Sequence, residues 1–126
     1  MITVDDVRAI AAELPRAYEV LVHDRVKWRV GAIVFVAFSR DETEMGFAFP
    51  KSEREMLVAS DPDKFMLPGA TDMRFHWVCA RVEALDVVEL RELVVDAWRM
   101  VVPKKVAAAY DDEHLDEMRR DAGTAQ

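Results

Sequence analysis

The chain has 126 residues, 52% of them hydrophobic and 33% charged, with 24 acids against 17 bases for a net charge of −7. That length and apolar content suit one domain with its own core, no apolar run reaches the roughly 18 residues of a membrane span, and the acidic amino terminus does not resemble a signal peptide, so a cytoplasmic location is expected. A single cysteine, Cys79, excludes an internal disulfide and any CxxC metal or redox site, and the acidic balance argues against indiscriminate binding to polyanions.

The first segment reads as a short amphipathic helix. Thr3 stands where a cap belongs, Val7, Ile10, Ala11 and Leu14 recur at helical spacing, and Pro15 ends the pattern. Tyr18, Val20 and Val22 then alternate. The stretch RVKWRVGAIVFVAF (25–38) follows, and Gly31-Ala32 fits a two-residue hairpin turn of type II′, because glycine at the first central position supplies the positive φ. That register sets Val30 opposite Ile33, Trp28 opposite Phe35 and Val26 opposite Ala37 on a core side. On the other side it sets Arg29 opposite Val34, Lys27 opposite Val36 and Arg25 opposite Phe38, a layer mixing three bases with three apolar residues.

Met45, Phe47 and Phe49 alternate with Gly46 and Ala48 in a further strand, whose small residues imply that something packs closely on one face. Ser52 with Glu55 reads as a capping box for a short helix that ends at Asp61-Pro62. Strand-like ends flank a Pro68-Gly69 turn, and residues 75–81 alternate as a strand. Asp86 with Glu89 caps the best helix, with Leu90, Leu93, Val94, Ala97 and Val101 as its apolar stripe. The expected fold is α+β in two layers: an antiparallel sheet of five to six strands packed against helices, in the order α-β(3–4)-α-β(2)-α. A single domain over 1–110 is followed by a charged helix or tail over 111–126.

Chemistry is thinly signalled. There is no HExxH, GxSxG, GxGxxG or Walker A loop, and the three histidines do not share a face with Cys79. Acids near the carboxyl terminus, Asp111-Asp112-Glu113 among them, read as a solvated helix face. No enzyme activity, cofactor or metal is therefore expected. Trp28, Trp77 and Trp98 read as core residues rather than stacking platforms, and Cys79 as a small buried hydrophobe.

The segments SEREMLVASDPDKFMLP and RFHWVCARVEALDVVELRELVVDAWRMVVPKK, with the leading helix and the KWRVGAIVF hairpin, resemble the MmcQ/YjbR family over residues 1 to about 110. The resemblance implies a secretion-chaperone-like α+β arrangement and a DNA-binding label that rests on shape. It supplies no catalytic residue.

Two functional readings follow. In the first, a non-enzymatic module binds DNA weakly and without base specificity through the hairpin bases Arg25, Lys27 and Arg29, with Lys51, Arg54, Arg74, Arg81, Lys104 and Lys105 as neighbouring candidates; nothing resembles a recognition helix for base edges. In the second, Val34, Val36 and Phe38 form the centre of an interface with another protein or a second copy, rimmed by the same bases. A bland alternative has helices cover this face.

Overall fold

The computed structural model describes the backbone of residues 1–124 and the side chains of residues 1–116. Its elements are α1 (Val4–Ala11), β1 (Ala17–Val22), β2 (Arg25–Val30), β3 (Ile33–Phe38), β4 (Glu44–Ala48), α2 (Lys51–Ser60), β5 (Phe65–Met66), β6 (Trp77–Arg81), a 3-10 turn at Val82–Ala84, α3 (Val87–Arg99) and α4 (Lys104–Thr124). The strands form one antiparallel sheet in the order β1-β2-β3-β4-β6-β5. This is the α+β architecture that the sequence predicts. Helix α4 runs unbroken through residue 110, so the expected division there falls inside one helix.

Local chemistry accounts for the element ends. The Thr3 backbone N–H donates to the Asp6 carboxylate at 2.8 Å, and the Glu89 N–H donates to Asp86 at 2.8 Å, so α1 and α3 each satisfy an orphan donor with an acid in or before the first turn. Helix α2 differs from expectation. It starts one residue before Ser52, with Pro50 as its N-cap, and its Lys51 N–H donates to Nδ1 of His76 at 3.0 Å. A ring brought from 25 residues away supplies the acceptor, so no capping box forms at Ser52.

Two tight turns join the first three strands. His23 (φ 50°) and Asp24 (φ 64°) both take the left-handed region between β1 and β2, the pairing whose twist suits a two-residue hairpin, and these are residue types that tolerate it. Between β2 and β3, Gly31 alone of the two central residues has a positive φ (59°), as the type II′ reading requires.

The core lies between one face of the sheet and the helices α1 and α3. Val7 and Ile10 from α1 and Leu90, Val94 and Trp98 from α3 are buried with Trp28, Phe35 and Phe47 of the sheet. Trp28 meets Phe38 edge-on with ring centroids 5.9 Å apart. Buried Trp98 donates its Nε1–H to the Pro15 carbonyl at 2.8 Å, satisfying its polar edge while fixing the exit of α1. Its ring also meets Tyr110 at 5.0 Å, which ties α4 to α3.

The register of β2 with β3 overturns part of the expected face. Val30 pairs with Ile33 and Arg29 with Val34, as the turn demands, but the register shifts between Trp28 and Arg29, so that Trp28 pairs with Val36 and Lys27 with Ala37. One extra β3 residue, a β-bulge, is accommodated there. A one-residue shift moves every later side chain to the opposite face. Phe35, Val36 and Phe38 all enter the core, each fully buried, and Ala37 comes to lie beside Lys27. Val36 and Phe38 are thus corrected from an exposed interaction face to core residues. The gain is physical: without the bulge, Phe38 would stand outside and Ala37 would face Trp28's layer.

Candidate functional site

Strand β2 itself alternates as its residues require. Trp28 and Val30 point to the core, while Arg25, Lys27 and Arg29 emerge on the face away from α1 and α3. Cross-strand pairing puts Tyr18, Val20 and Val22 of β1 on that face, and on the far side Val34 and Ala37 of β3, Gly46 and Ala48 of β4, and Trp77 and Cys79 of β6. The segment 67–76 closes over part of it and leaves a cleft of about 680 Å³ against β2 and β3.

The bases of the row have no ion-pair partner among the described residues. No carboxylate among the described residues comes within 4 Å of Arg25, Lys27 or Arg29, although acids outnumber bases by seven. Arg25 donates from Nε to the Phe38 carbonyl at 3.2 Å, and the Nε of Arg29 is buried without a partner. Burial, and then the neighbouring charges of Arg25 and Arg29, hold the Lys27 ammonium below its ordinary pKa, with Asp72 across the cleft partly offsetting them. Three like charges on alternate residues of one strand repel, and among the described residues Asp72 offsets them only at a distance, without an ion pair.

The wall opposite β2 is built by Arg54. This residue is only 7% exposed, and its guanidinium donates to the carbonyls of Met73 at 2.7 Å, Phe75 at 2.9 Å and, more loosely, Trp77 at 3.5 Å. Arg54 is therefore corrected from a nucleic-acid candidate to a structural clamp. With the helix starting at Lys51, position 54 turns inward, and the fork of donors matches a strand of carbonyls that the β5–β6 connection leaves unpaired. The remaining candidates scatter. Lys51 lies beside the His76 edge of the cleft, and Arg74 sits over the Phe75 ring at 4.7 Å. Arg81 stands on β6, separated from β2 by β3 and β4, where it donates to the Asp63 carbonyl at 3.1 Å. Lys104 and Lys105 are exposed at the start of α4.

Trp77 is a further residue whose position differs from the sequence expectation. It is half-buried on the open face and not in the core, and the edge of its indole rests on Gly46: a Cβ there would lie 2.5 to 2.7 Å from Nε1, Cζ2 and Cε2. The small residues of β4 are small because this ring occupies the space above them. The signal was present in the pairing of a glycine-containing strand with a tryptophan-containing one. Cys79, beside Gly46 on the same face, is half-buried, and burial together with Glu44 and Asp72 pushes its thiol up to about 11, so it stays protonated at neutral pH and is a poor nucleophile. Among the described residues no group of three or more His, Cys, Asp or Glu side chains converges as metal ligands would.

The family model for YjbR matches residues 12–100. The chain belongs to the YjbR family. Two relatives, the uncharacterized protein Rv2570 of Mycobacterium tuberculosis and the uncharacterized protein Mb2600 of Mycobacterium bovis, are each 30% identical to it over 135 residues, covering 87% of this chain and 96% of the relative. The crystal structure of Deinococcus radiodurans protein DR2400, with the family-model domain DUF419, superposes with a TM-score of 0.71 at 22% identity, covering 90% of this chain and 88% of that one, which shows a common fold. The YjbR match includes the cationic row, Arg54, the cleft wall and α3, and leaves α1 and α4 outside.

Proposed function

We propose that this YjbR chain is a non-enzymatic binding module that holds nucleic acid weakly, through phosphate contacts and without base specificity, on the open face of its sheet. The reading takes the chain to be cytoplasmic. The observation that carries it is the row Arg25, Lys27 and Arg29, outward on one strand of a −7 chain and free of any described carboxylate partner. A polyanion would neutralise what the fold leaves uncompensated, and the rest of the acidic surface would keep the affinity low. Three bases at strand spacing lie about 7 Å apart from one to the next, about twice the 3.4 Å axial rise per phosphate on one strand of a duplex.

The competing reading, a protein interface centred on Val34, Val36 and Phe38, retains only Val34, because the bulge buries the other two. It would have to recruit Ile33 and Phe75, which are exposed. Titration of duplex DNA at low and moderate salt separates the two. The nucleic-acid reading expects binding that falls steeply with salt and disappears in Lys27→Glu with Arg29→Glu. Absence of binding at low salt, or binding that the double variant leaves intact, refutes it. A concentration-dependent dimer in sedimentation, lost in Val34→Asp, favours the interface instead.

A further inference from the structure

The cleft beside the cationic row has a property the row lacks, exposed apolar side chains in its lining. Arg25 and Lys27 line it together with Ile33, Phe75 and Met100, which remain 56%, 50% and 41% exposed, so three large apolar side chains are held partly in solvent around one cleft. Trp77, Ala37 and Ala48 complete its lining. The cleft volume of about 680 Å³ falls within the range of small-molecule sites.

Charge narrows the occupant. Two cations and one acid, Asp72, line the cleft, leaving a single net positive charge. His76 adds none while its Nδ1 accepts the Lys51 N–H, since that bond requires an unprotonated Nδ1. A polyphosphate headgroup would overfill such a site, and a neutral apolar molecule would strip water from Arg25 and Lys27 without replacing it. One negative charge on an apolar body satisfies both the cations and the apolar side chains.

We propose that this cleft binds a small amphipathic carboxylate, its head between Arg25 and Lys27 and its apolar body along Trp77, Phe75, Ile33 and Met100. The carboxylate supplies the acceptor that Lys27 lacks and offsets the repulsion from its two neighbours, while the apolar body covers the exposed rim. The wall is preformed, because Arg54 already fixes the carbonyls of Met73 and Phe75. This site uses two residues of the cationic row but does not depend on nucleic acid as the row's partner.

Octanoate titrated into the full-length protein, followed by calorimetry and by tryptophan fluorescence, tests the proposal. Saturable one-to-one binding is expected, with hexanoate about tenfold weaker for its two missing methylenes. 1-Octanol is expected to bind at least tenfold more weakly than octanoate. Lys27→Gln lowers octanoate affinity at least tenfold and leaves octanol unchanged. Ile33→Ser with Phe75→Ser does the same to octanoate, with the folded circular dichroism spectrum retained and a smaller loss of thermal midpoint than a core truncation gives, since both side chains are about half-exposed. No saturable binding, an octanol affinity equal to that of octanoate, or an octanoate affinity unchanged in Lys27→Gln overturns the proposal. Arg29→Glu, on the row but outside the cleft, keeps octanoate binding and loses DNA binding, so failure of one reading is distinguishable from failure of the other.

Discussion

On the helix-covered face of the sheet, Trp28, Phe38 and Phe47 meet α1 and α3 in a layer that excludes water, and bases at its margins find acids: Arg8 bridges Glu19 with contacts of 2.7 and 2.9 Å, Lys64 reaches Glu89 at 2.8 Å, and Arg99 reaches Asp111 at 2.6 Å. On the open face, the same strands carry Arg25, Lys27 and Arg29 with no described acid within ion-pair distance, beside a tryptophan, alanines and a glycine. A chain with seven surplus acids does not lack counter-ions. The unpaired row is therefore a matter of placement, and what distinguishes the two faces is that the bases beside one find acids among the described residues and those on the other do not.

The largest effect that could break this comparison concerns β3. Val36→Asp places a charge in the closed layer and is expected to cost about 3 to 5 kcal/mol in chemical denaturation, whereas Val34→Asp, on the open face, costs less than about 1 kcal/mol. Equal losses would mean that the bulge does not divide the faces as described. Next, Arg54→Ala leaves the Met73 and Phe75 carbonyls without their donor and is expected to destabilise by about 2 to 4 kcal/mol, with faster amide exchange across 72–77. Retained exchange protection in that segment would remove Arg54 from its role as clamp.

A smaller effect follows at Gly46. Adding a Cβ forces the Trp77 indole away from its seat, so Gly46→Ala is expected to cost about 1 to 3 kcal/mol and to change the emission of Trp77, measured in a Trp28→Phe, Trp98→Phe background if that fold survives and by near-ultraviolet circular dichroism otherwise. The smallest effect is on titration. Lys27 loses its proton below the ordinary lysine value, so its charge burdens the fold below that lowered pKa, and the burden is relieved as pH rises from the folded value towards 10.5. Anion binding accordingly weakens over the same rise, earlier than an ordinary lysine would dictate. Lys27→Arg, which stays charged, removes that step from the binding profile.

Much of the fold is legible in residue order. The caps at Thr3 and Asp86, the glycine corner at Gly31 and the alternation of β2 are local effects, set by neighbours within four residues. What could not be read locally was settled by partners distant in sequence. Whether Phe38 faces in or out depends on a bulge whose only sequence trace is the run Phe35-Val36-Ala37-Phe38, four apolar residues without alternation. Arg54 resembles any surface arginine until the carbonyls of residues 73–77 are brought against it, and Ser52 loses the cap to a histidine 24 residues further on. Trp77 was misplaced for the same reason: its seat is a glycine on another strand. The cationic row was visible from spacing alone, since parity along one strand needs no distant information. Its lack of ion-pair partners among the described residues was not.

The most direct test of the claim that the open face is completed from outside is to map amide shifts while titrating duplex DNA into isotopically labelled protein at low salt. The account predicts saturable, salt-sensitive shifts at Arg25, Lys27, Arg29, Val34 and Ala37, with the amides of α1 and the core positions of α3 unmoved. Shifts confined to α4 or to the α1–α3 side, with β2 silent, would contradict it.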